Sequence, residues 1–414
     1  MADTIAITQE TRERVERIGT ADLVIGFIAP PKDQAGVDRA IAISRAALAR
    51  FSQPLRAVVI HSGAALPTEP AEPAEPTLQI IPMPGPPLDQ MNVLQGFADA
   101  FRGVTNVART LAARACAIIA ADPSGIDENW IIRLAGPVLE ADYDLVGPCY
   151  ARHRFEGLIN RGILYPLVRA LYGRRVRNPF GPDFCLSTRL VDRVPAASGS
   201  TVRVHPVAWL VPEAIVNNMQ ICQSHLGVRN YPAPDDAGVS ALLTQILAPL
   251  FSEIERRAAF LQRVRGSQPV EEYGTATYLS EPDSGADVSR LMETFQIGTR
   301  NLQEIWSMVL PPSTLVDLKR LSRAPASGFR MDDELWARII YDFALGYRLR
   351  TINRDHLLRA ITPLYLGWVA SYAMNPDNAT PEGAENLLER LCVAYENARP
   401  YFVARWRWPD RFNP

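Results

Sequence analysis

The hydrophobic positions along this chain follow two rhythms. Between residues 20 and 150, short unbroken apolar runs alternate with stretches spaced for helices. Leu23-Val-Ile-Gly-Phe-Ile28 is such a run and stops at Ala29-Pro30-Pro31, as a strand buried on both faces would. Helical spacing follows from about Val37 to Phe51, and Leu55-Arg-Ala-Val-Val-Ile60 is a second strand. Leu78-Gln-Ile-Ile-Pro82 is a third, followed by Pro84-Gly85-Pro86-Pro87 and a helix over about 89–101. Cys116-Ala-Ile-Ile-Ala-Ala121 is the fourth. A helix starts near Trp130, and a strand covers 145–149. Strands and helices alternating at this spacing predict βαβ units in a mainly parallel sheet.

From about Ser240 the rhythm becomes helical throughout, over 240–265, 286–310, 330–349, 354–374 and 381–397. Trp306, Trp336 and Trp368 fall on the apolar positions and are expected in the core. The tail, Arg399-Pro-Tyr-Phe-Val-Ala-Arg-Trp-Arg-Trp-Pro409, is aromatic and basic and is expected to pack on the body or on a second subunit. Residues 7–19 read as a short charged helix with a Gly stop. Three regions result: an N-terminal helix (1–19), an α/β domain (20–240) and a helical C-terminal region (241–414). Between the second and third strands, Pro67-Thr-Glu-Pro-Ala-Glu-Pro-Ala-Glu-Pro76 cannot pair in a sheet or continue a helix, because each proline lacks a donor; it reads as an extended spacer.

Bulk composition narrows the function classes. With 414 residues, 47% hydrophobic and 21% charged, the chain can fill a large core. A net charge of −2 argues against non-specific nucleic-acid binding, which needs a basic face. The five cysteines are scattered, with no Cys-x-x-Cys or Cys/His zinc spacing, and read as reduced core residues. The first residues carry no signal-peptide apolar region, and no apolar run reaches the ~20 residues of a membrane span. A cytoplasmic protein is expected. Gly-x-Gly-x-x-Gly, P-loop and Gly-x-Ser-x-Gly signatures are absent, which counts against a dehydrogenase, an NTPase and a serine hydrolase.

The chemistry concentrates where the fourth strand ends, at Ala120-Ala-Asp122-Pro-Ser-Gly125. Parallel α/β sheets bind ligands beyond the carboxyl ends of their strands. A carboxylate there can hold a divalent cation, and the cation a diphosphate. Asp before Pro-Ser-Gly is also a natural turn former, so a purely structural Asp122 is the competing reading.

Tyr143-Asp-Leu-Val-Gly-Pro-Cys-Tyr150, Leu171-Tyr-Gly-Arg-Arg175 with Asn178-Pro-Phe-Gly-Pro-Asp183-Phe, and Gln220-Ile-Cys-Gln-Ser-His-Leu-Gly-Val-Arg229 together resemble bacterial glycosyltransferases of the GT-A fold, near glucosyl-3-phosphoglycerate synthase and mannosylglycerate synthase. The resemblance spans about 20–235. It implies a Rossmann-like, mainly parallel GT-A domain followed by a mostly helical region. It also implies a nucleotide-sugar donor, a divalent metal (Mg²⁺ or Mn²⁺) and a small hydroxyl acceptor, phosphorylated or carboxylated. Asp122 matches the second acid of the metal motif, whose first position is Ala120. Asp183 matches the acid of a turn that faces the acceptor, where a carboxylate can orient or deprotonate a hydroxyl. Arg152 and Arg154, with His153 between them, stand where relatives carry basic residues near phosphates. Arg174, Arg175 and Arg177 follow in the next loop. Ala29, Pro30 and His61 occupy the nucleobase-reading positions.

Departures from the family fall on donor contacts. The first strand ends in Ala29-Pro-Pro-Lys-Asp33, the second in Ile60-His61-Ser62-Gly63, and the third loop lacks its lysine. Tyr231 stands where relatives have a metal-ligating His. His225 does not match that position and reads as structural, while Asp235 and Asp236 are spare oxygen donors. His205-Pro-Val-Ala-Trp209 replaces an expected acid. The reading is therefore a glycosyltransferase acting on small molecules, with a catalytically inactive binding or assembly module as the alternative. A homodimer through the helical half is expected.

Overall fold

The computed structural model describes residues 9–28, 34–62, 77–83, 93–194, 206–229, 236–277 and 287–408. Ala29, Pro30, His205, Tyr231, Asp235, the proline repeat 67–76 and the loop 84–89 lie outside them.

In chain order the elements are α1 (Gln9–Ile18), β1 (Leu23–Phe27), α2 (Gln34–Leu48), β2 (Ala57–Ser62), β3 (Leu78–Met83), α3 (Val93–Thr110), β4 (Ala115–Ile119), α4 (Glu128–Ala141) and β5 (Leu145–Ala151). There follow α5 (Tyr165–Tyr172), β6 (Phe184–Ser187), α6 (Thr188–Arg193), α7 (Pro206–Val216), β7 (Ile221–Val228), α8 (Asp236–Arg256), α9 (Ala258–Leu261) and β8 (Glu271–Tyr273). The remainder is helical: α10 (Val288–Asn301), α11 (Gln303–Ser307), α12 (Pro312–Ser322), α13 (Asp333–Leu349), α14 (Arg354–Ala360), α15 (Thr362–Met374) and α16 (Pro381–Arg407).

The chain divides into two compact units. The first holds 1–151, 177–230 and 270–277; the second holds 152–176, 231–269 and 278–414. The predicted α/β class with a mainly parallel sheet and a helical C-terminal region is what the elements form.

The first unit is built on an eight-stranded sheet of order β3-β2-β1-β4-β6-β5-β7-β8, in which only the pairings of β6 are antiparallel. Alternate residues of the inner strands face opposite ways. Leu23, Ile25, Phe27, Val59, Ala117 and Ile119 therefore share one core with Ala40 and Ile43 of α2 and Trp130, Ile131 and Leu134 of α4. On the other face a Cβ at Gly26 would come within 2.7 Å of the Val104 methyls, so glycine is what lets α3 approach. The burial of β1 and β4 on both faces explains their unbroken apolar sequences.

Two buried acids brace the central strands from opposite ends. Asp144, before β5, accepts hydrogen bonds from the Ser187 hydroxyl (2.7 Å), Arg189 Nε (2.7 Å) and the Gln220 N–H (3.0 Å). It thus ties β5, β6 and β7 together at one end. Asp183 does the corresponding work at the other.

The second unit is helical around an aromatic core, with Trp306, Trp336, Tyr341, Phe343 and Tyr395 buried. The Trp306 indole N–H donates to the Ala360 carbonyl (3.0 Å). A π-helical turn, Asn160–Leu164, precedes α5, and its Gly162 carbonyl accepts from both Trp336 Nε1 (2.8 Å) and the Tyr395 hydroxyl (3.0 Å). The aromatic-basic tail continues α16 as far as Arg407, with Trp406 buried and Trp408 exposed. None of the five cysteines is in a disulfide and all are buried, and burial pushes the Cys116 and Cys222 thiols up to about 12. Among the described residues, no helix is long and apolar enough to cross a membrane.

Candidate functional site

The strand order sets where a ligand crevice can form. From β1 the chain steps outward to β2 and β3, then returns to place β4 on the opposite side of β1. The order reverses between β1 and β4, and crevices in open α/β sheets open at such a point, beyond the carboxyl ends of the strands. Asp122 follows β4 there and is exposed. Its carbonyl accepts the Gly125 N–H (3.0 Å) across the 3₁₀ turn Pro123–Gly125. The carboxylate that caps α4 is Asp127, which accepts from the Asn129 N–H at 3.0 Å. Capping that helix is thus a task Asp122 does not perform.

Asp183 lies directly beneath. Because β6 runs against its neighbours, its start meets the carboxyl ends of the parallel strands. Asp183 has no exposed surface. Its Oδ1 accepts the N–H groups of Ala120 (2.7 Å) and Ala121 (3.2 Å), and its Oδ2 accepts the Tyr150 hydroxyl (2.5 Å) and pairs with Arg229. Arg229 also donates to the Tyr150 oxygen (3.2 Å) and lies 5.6 Å from the centre of that ring. Trp130 packs beside Tyr150, with centroids 6.2 Å apart. Four strand ends, those of β4, β5, β6 and β7, converge on one buried charge pair whose product is a fixed backbone just before Asp122.

Facing an acceptor hydroxyl, the role the resemblance implies for Asp183, requires an exposed carboxylate oxygen. In this conformation both oxygens are taken by protein donors. Tyr150 and Arg229 were not singled out from the sequence as site residues, although both lie in the quoted pieces. The Leu226-Gly-Val-Arg229 piece has a structural reason: Gly227 adopts φ +92, and Arg229 closes the clamp.

His61, at the end of β2, is 1% exposed, and neither ring nitrogen has a hydrogen-bond partner among the described residues. Burial pushes its imidazole down to about 4. Between pH 6.5 and about 4 the unfolded chain takes up a proton on this group that the folded chain refuses, so folded stability falls as pH falls through that window. From pH 7 to pH 5 the expected loss is about 2 kcal/mol. Urea unfolding at the two pH values should show that loss, and His61→Leu should remove it; an equal loss in the variant would assign the slope to other groups.

Arg152 and Arg154 belong to the second unit. Arg154 Nη1 donates to the Asn378 carbonyl (3.2 Å), and its guanidinium lies 5.1 Å from the Phe155 ring centre. Arg152 packs over Gly157, where φ is +64 and a Cβ would strike the guanidinium. Arg175 Nε donates to Ser267 (3.1 Å), also within the second unit. Arg174 likewise belongs to the second unit, whereas Arg177 belongs, with Asp122, to the first. His225 Nε2 is 3.0 Å from Glu272 on β8, a structural pairing across the sheet edge. Trp209 is buried in α7.

For a divalent metal, no group of three or more His, Cys, Asp or Glu side chains is placed to hold one among the described residues. Asp122 offers an exposed carboxylate just past β4. This donor set fits a Mg²⁺-like ion carried mainly by substrate phosphates, a common mode, and does not fit an all-protein cage.

No family model matches the chain, and no curated protein matches it. Solved structures do. One is glucosyl-3-phosphoglycerate synthase from Mycobacterium tuberculosis in complex with phosphoglyceric acid, at 16% identity over 61% of this chain and 85% of that one, TM-score 0.39. The same enzyme with Mn²⁺, uridine-diphosphate-glucose and phosphoglyceric acid matches at 17% identity, 61% and 84% coverage, TM-score 0.37. Mannosyl-3-phosphoglycerate synthase from Rubrobacter xylanophilus matches at 16% identity, 62% and 80% coverage, TM-score 0.41.

Proposed function

We propose that the first unit transfers a sugar from a nucleotide-sugar donor to a small acceptor, phosphorylated or carboxylated. The observation that supports this most is the exposed Asp122 at the β1/β4 switch point, on a backbone held by a dedicated buried clamp. A turn without a task would not need Asp183, Tyr150 and Arg229 beneath it, because burying an ion pair confers little net stability by itself. In this reading Asp122 would hold the cation that accompanies the donor diphosphate, and the chemistry a bound cation would supply there is neutralisation of charge on the leaving group. Asp183 acts as a positioning residue through the Ala120 and Ala121 amides. His61, at the end of β2 where the resemblance implies a nucleobase contact, is buried and neutral at physiological pH, and in this conformation it presents no nitrogen to a ligand.

Incubation with UDP- and GDP-sugars, Mn²⁺ and phosphorylated or carboxylated acceptors, read by mass spectrometry, should yield a glycosylated product. Asp122→Asn should lower turnover at least about 100-fold, the scale on which transition-state charge stabilisation operates. It should leave the melting temperature within about 1 °C, as expected for an exposed site. Turnover unchanged in Asp122→Asn would remove the metal–diphosphate assignment.

A second reading has its own observation. Ala120 stands where the family motif has its first acid, and the amide of that residue is committed to Asp183. A non-catalytic relative would give no product with any pair. It would also show no thermal shift with nucleotides and Mn²⁺, because any ligand specific to the folded state raises stability by mass action.

A further inference from the structure

The second unit contains a cavity of about 50 Å³, lined among others by Arg161, Arg330, Arg390, Asp333, Tyr372 and Trp368. That is room for about four waters, or for one tetrahedral or planar oxyanion. Three guanidinium groups on so small a volume repel one another unless an anion answers them.

The protein answers them incompletely. The Arg161 guanidinium meets the Tyr372 hydroxyl, but its buried Nη1 has no hydrogen-bond partner among the described residues. The Glu385 carboxylate is 3.7 Å from Arg161 Nη2, beyond hydrogen-bond length. Arg390 pairs with Asp377 at 3.1 Å, but both side chains are about half exposed, and such pairs contribute little. Asp333 lines the cavity, yet burial raises its pKa against the pull of Arg390 and Arg330, which makes it a reluctant counter-ion. Native structures seldom bury an arginine donor unanswered, so each such atom calls for a partner. Arg161 also sits in the π-helical turn Asn160–Leu164, a distortion that often marks functional sites. Trp368, Leu387, Leu388 and Leu391 give the cavity an apolar wall, which suits a group carried on a small organic body.

We propose that this cavity binds a single phosphate or carboxylate group, with Arg161 as its inner anchor and Arg330 and Arg390 at its mouth. Guanidinium forks match both oxyanions bidentately. The site lies wholly within the second unit and does not rest on the sugar-transfer reading.

The test is titration of the full chain with inorganic phosphate and, separately, with succinate, at constant ionic strength against chloride, followed by calorimetry and thermal shift. Saturable binding of at least one anion in the millimolar range or tighter is expected. Arg161→Gln should weaken it at least tenfold, and Asp333→Asn should tighten it about threefold. Should Arg161→Gln fail to fold, the surface double variant Arg330→Ala/Arg390→Ala decides, with an expected loss of at least fivefold. Asp122→Asn should bind as the unaltered chain does, which separates this cavity from the first unit. Binding no stronger than chloride's, binding undiminished in the arginine variants, or binding abolished by Asp122→Asn would overturn the proposal.

Discussion

Asp183→Ala is expected to lose about 3–5 kcal/mol of stability, the usual consequence of removing one partner from a buried ion pair. Arg229, only 7% exposed at its side chain, would keep its charge without the Asp183 carboxylate. The Ala120 and Ala121 N–H groups and the Tyr150 hydroxyl would lose their acceptor at the same time. Each unsatisfied buried donor adds its own desolvation cost. The melting temperature of the first unit should fall on the order of 10 °C. Asp183→Asn should fall by less, because its amide oxygen can still accept from the Ala120 N–H. Thermal and urea unfolding followed by circular dichroism would measure both. A melting temperature for Asp183→Ala within a degree or two of the unaltered chain would show that the clamp does not hold the strand ends together. Glycosyl transfer retained by a folded Asp183→Asn would support a positioning role over proton abstraction.

The other large effect is expected at Arg169, which is 1% exposed on α5. Its Nη1 and Nη2 make a bidentate pair with Glu389 of α16 (2.5 and 2.7 Å), and its Nε bonds Glu396 (2.9 Å) and Ser267 (3.3 Å). Burial alone would lower the pKa of this guanidinium; the two carboxylates more than reverse that, so the net shift is upward. The network is asymmetric. Glu389 and Glu396 are 51% and 24% exposed and can turn to water, whereas Arg169 cannot. The double variant Glu389→Gln/Glu396→Gln should therefore cost about 3–5 kcal/mol, by stranding a buried cation. Arg169→Met, which replaces the cation with an apolar chain of similar length, should cost no more than about 2 kcal/mol. Urea midpoints of the two variants give the comparison directly, and an equal or reversed order would place the cost in packing rather than in charge.

The strands were legible because β1 and β4 are buried on both faces and their sequences carry no polar break. The helices of the second half were legible where one face is apolar. Other elements left no such trace. In β8, Glu271-Glu-Tyr273 is three residues long and mostly exposed at a sheet edge, so neither alternation nor β-propensity marks it. Helix α12 presents a largely polar surface, with only Thr314, Leu318 and Leu321 buried. The helical spacing over 381–397 falls short of α16, which runs on past Pro400, a proline on its exposed side, to Arg407. At the site, both acids could be picked out as acids. Their surroundings could not: Tyr150 and Arg229 lie 33 and 46 positions from Asp183, and only the antiparallel entry of β6 brings the three together.

The interleaving of β8 has a consequence for biosynthesis. Residues 231–269 belong to the second unit, yet the strand that completes the first unit's sheet follows them. Domains emerging from the ribosome generally fold as their sequence becomes available. Here β7 must wait, with one row of amides and carbonyls unpaired, until some forty further residues have been translated, and an unpaired row of that kind is a template for a neighbouring nascent chain. Order of translation and order of strands are out of step here, as they are at β4 and β5, which wait for β6 until residues 152–176 of the second unit have been made, and at each place a chaperone on the nascent chain would shield the unpaired edge.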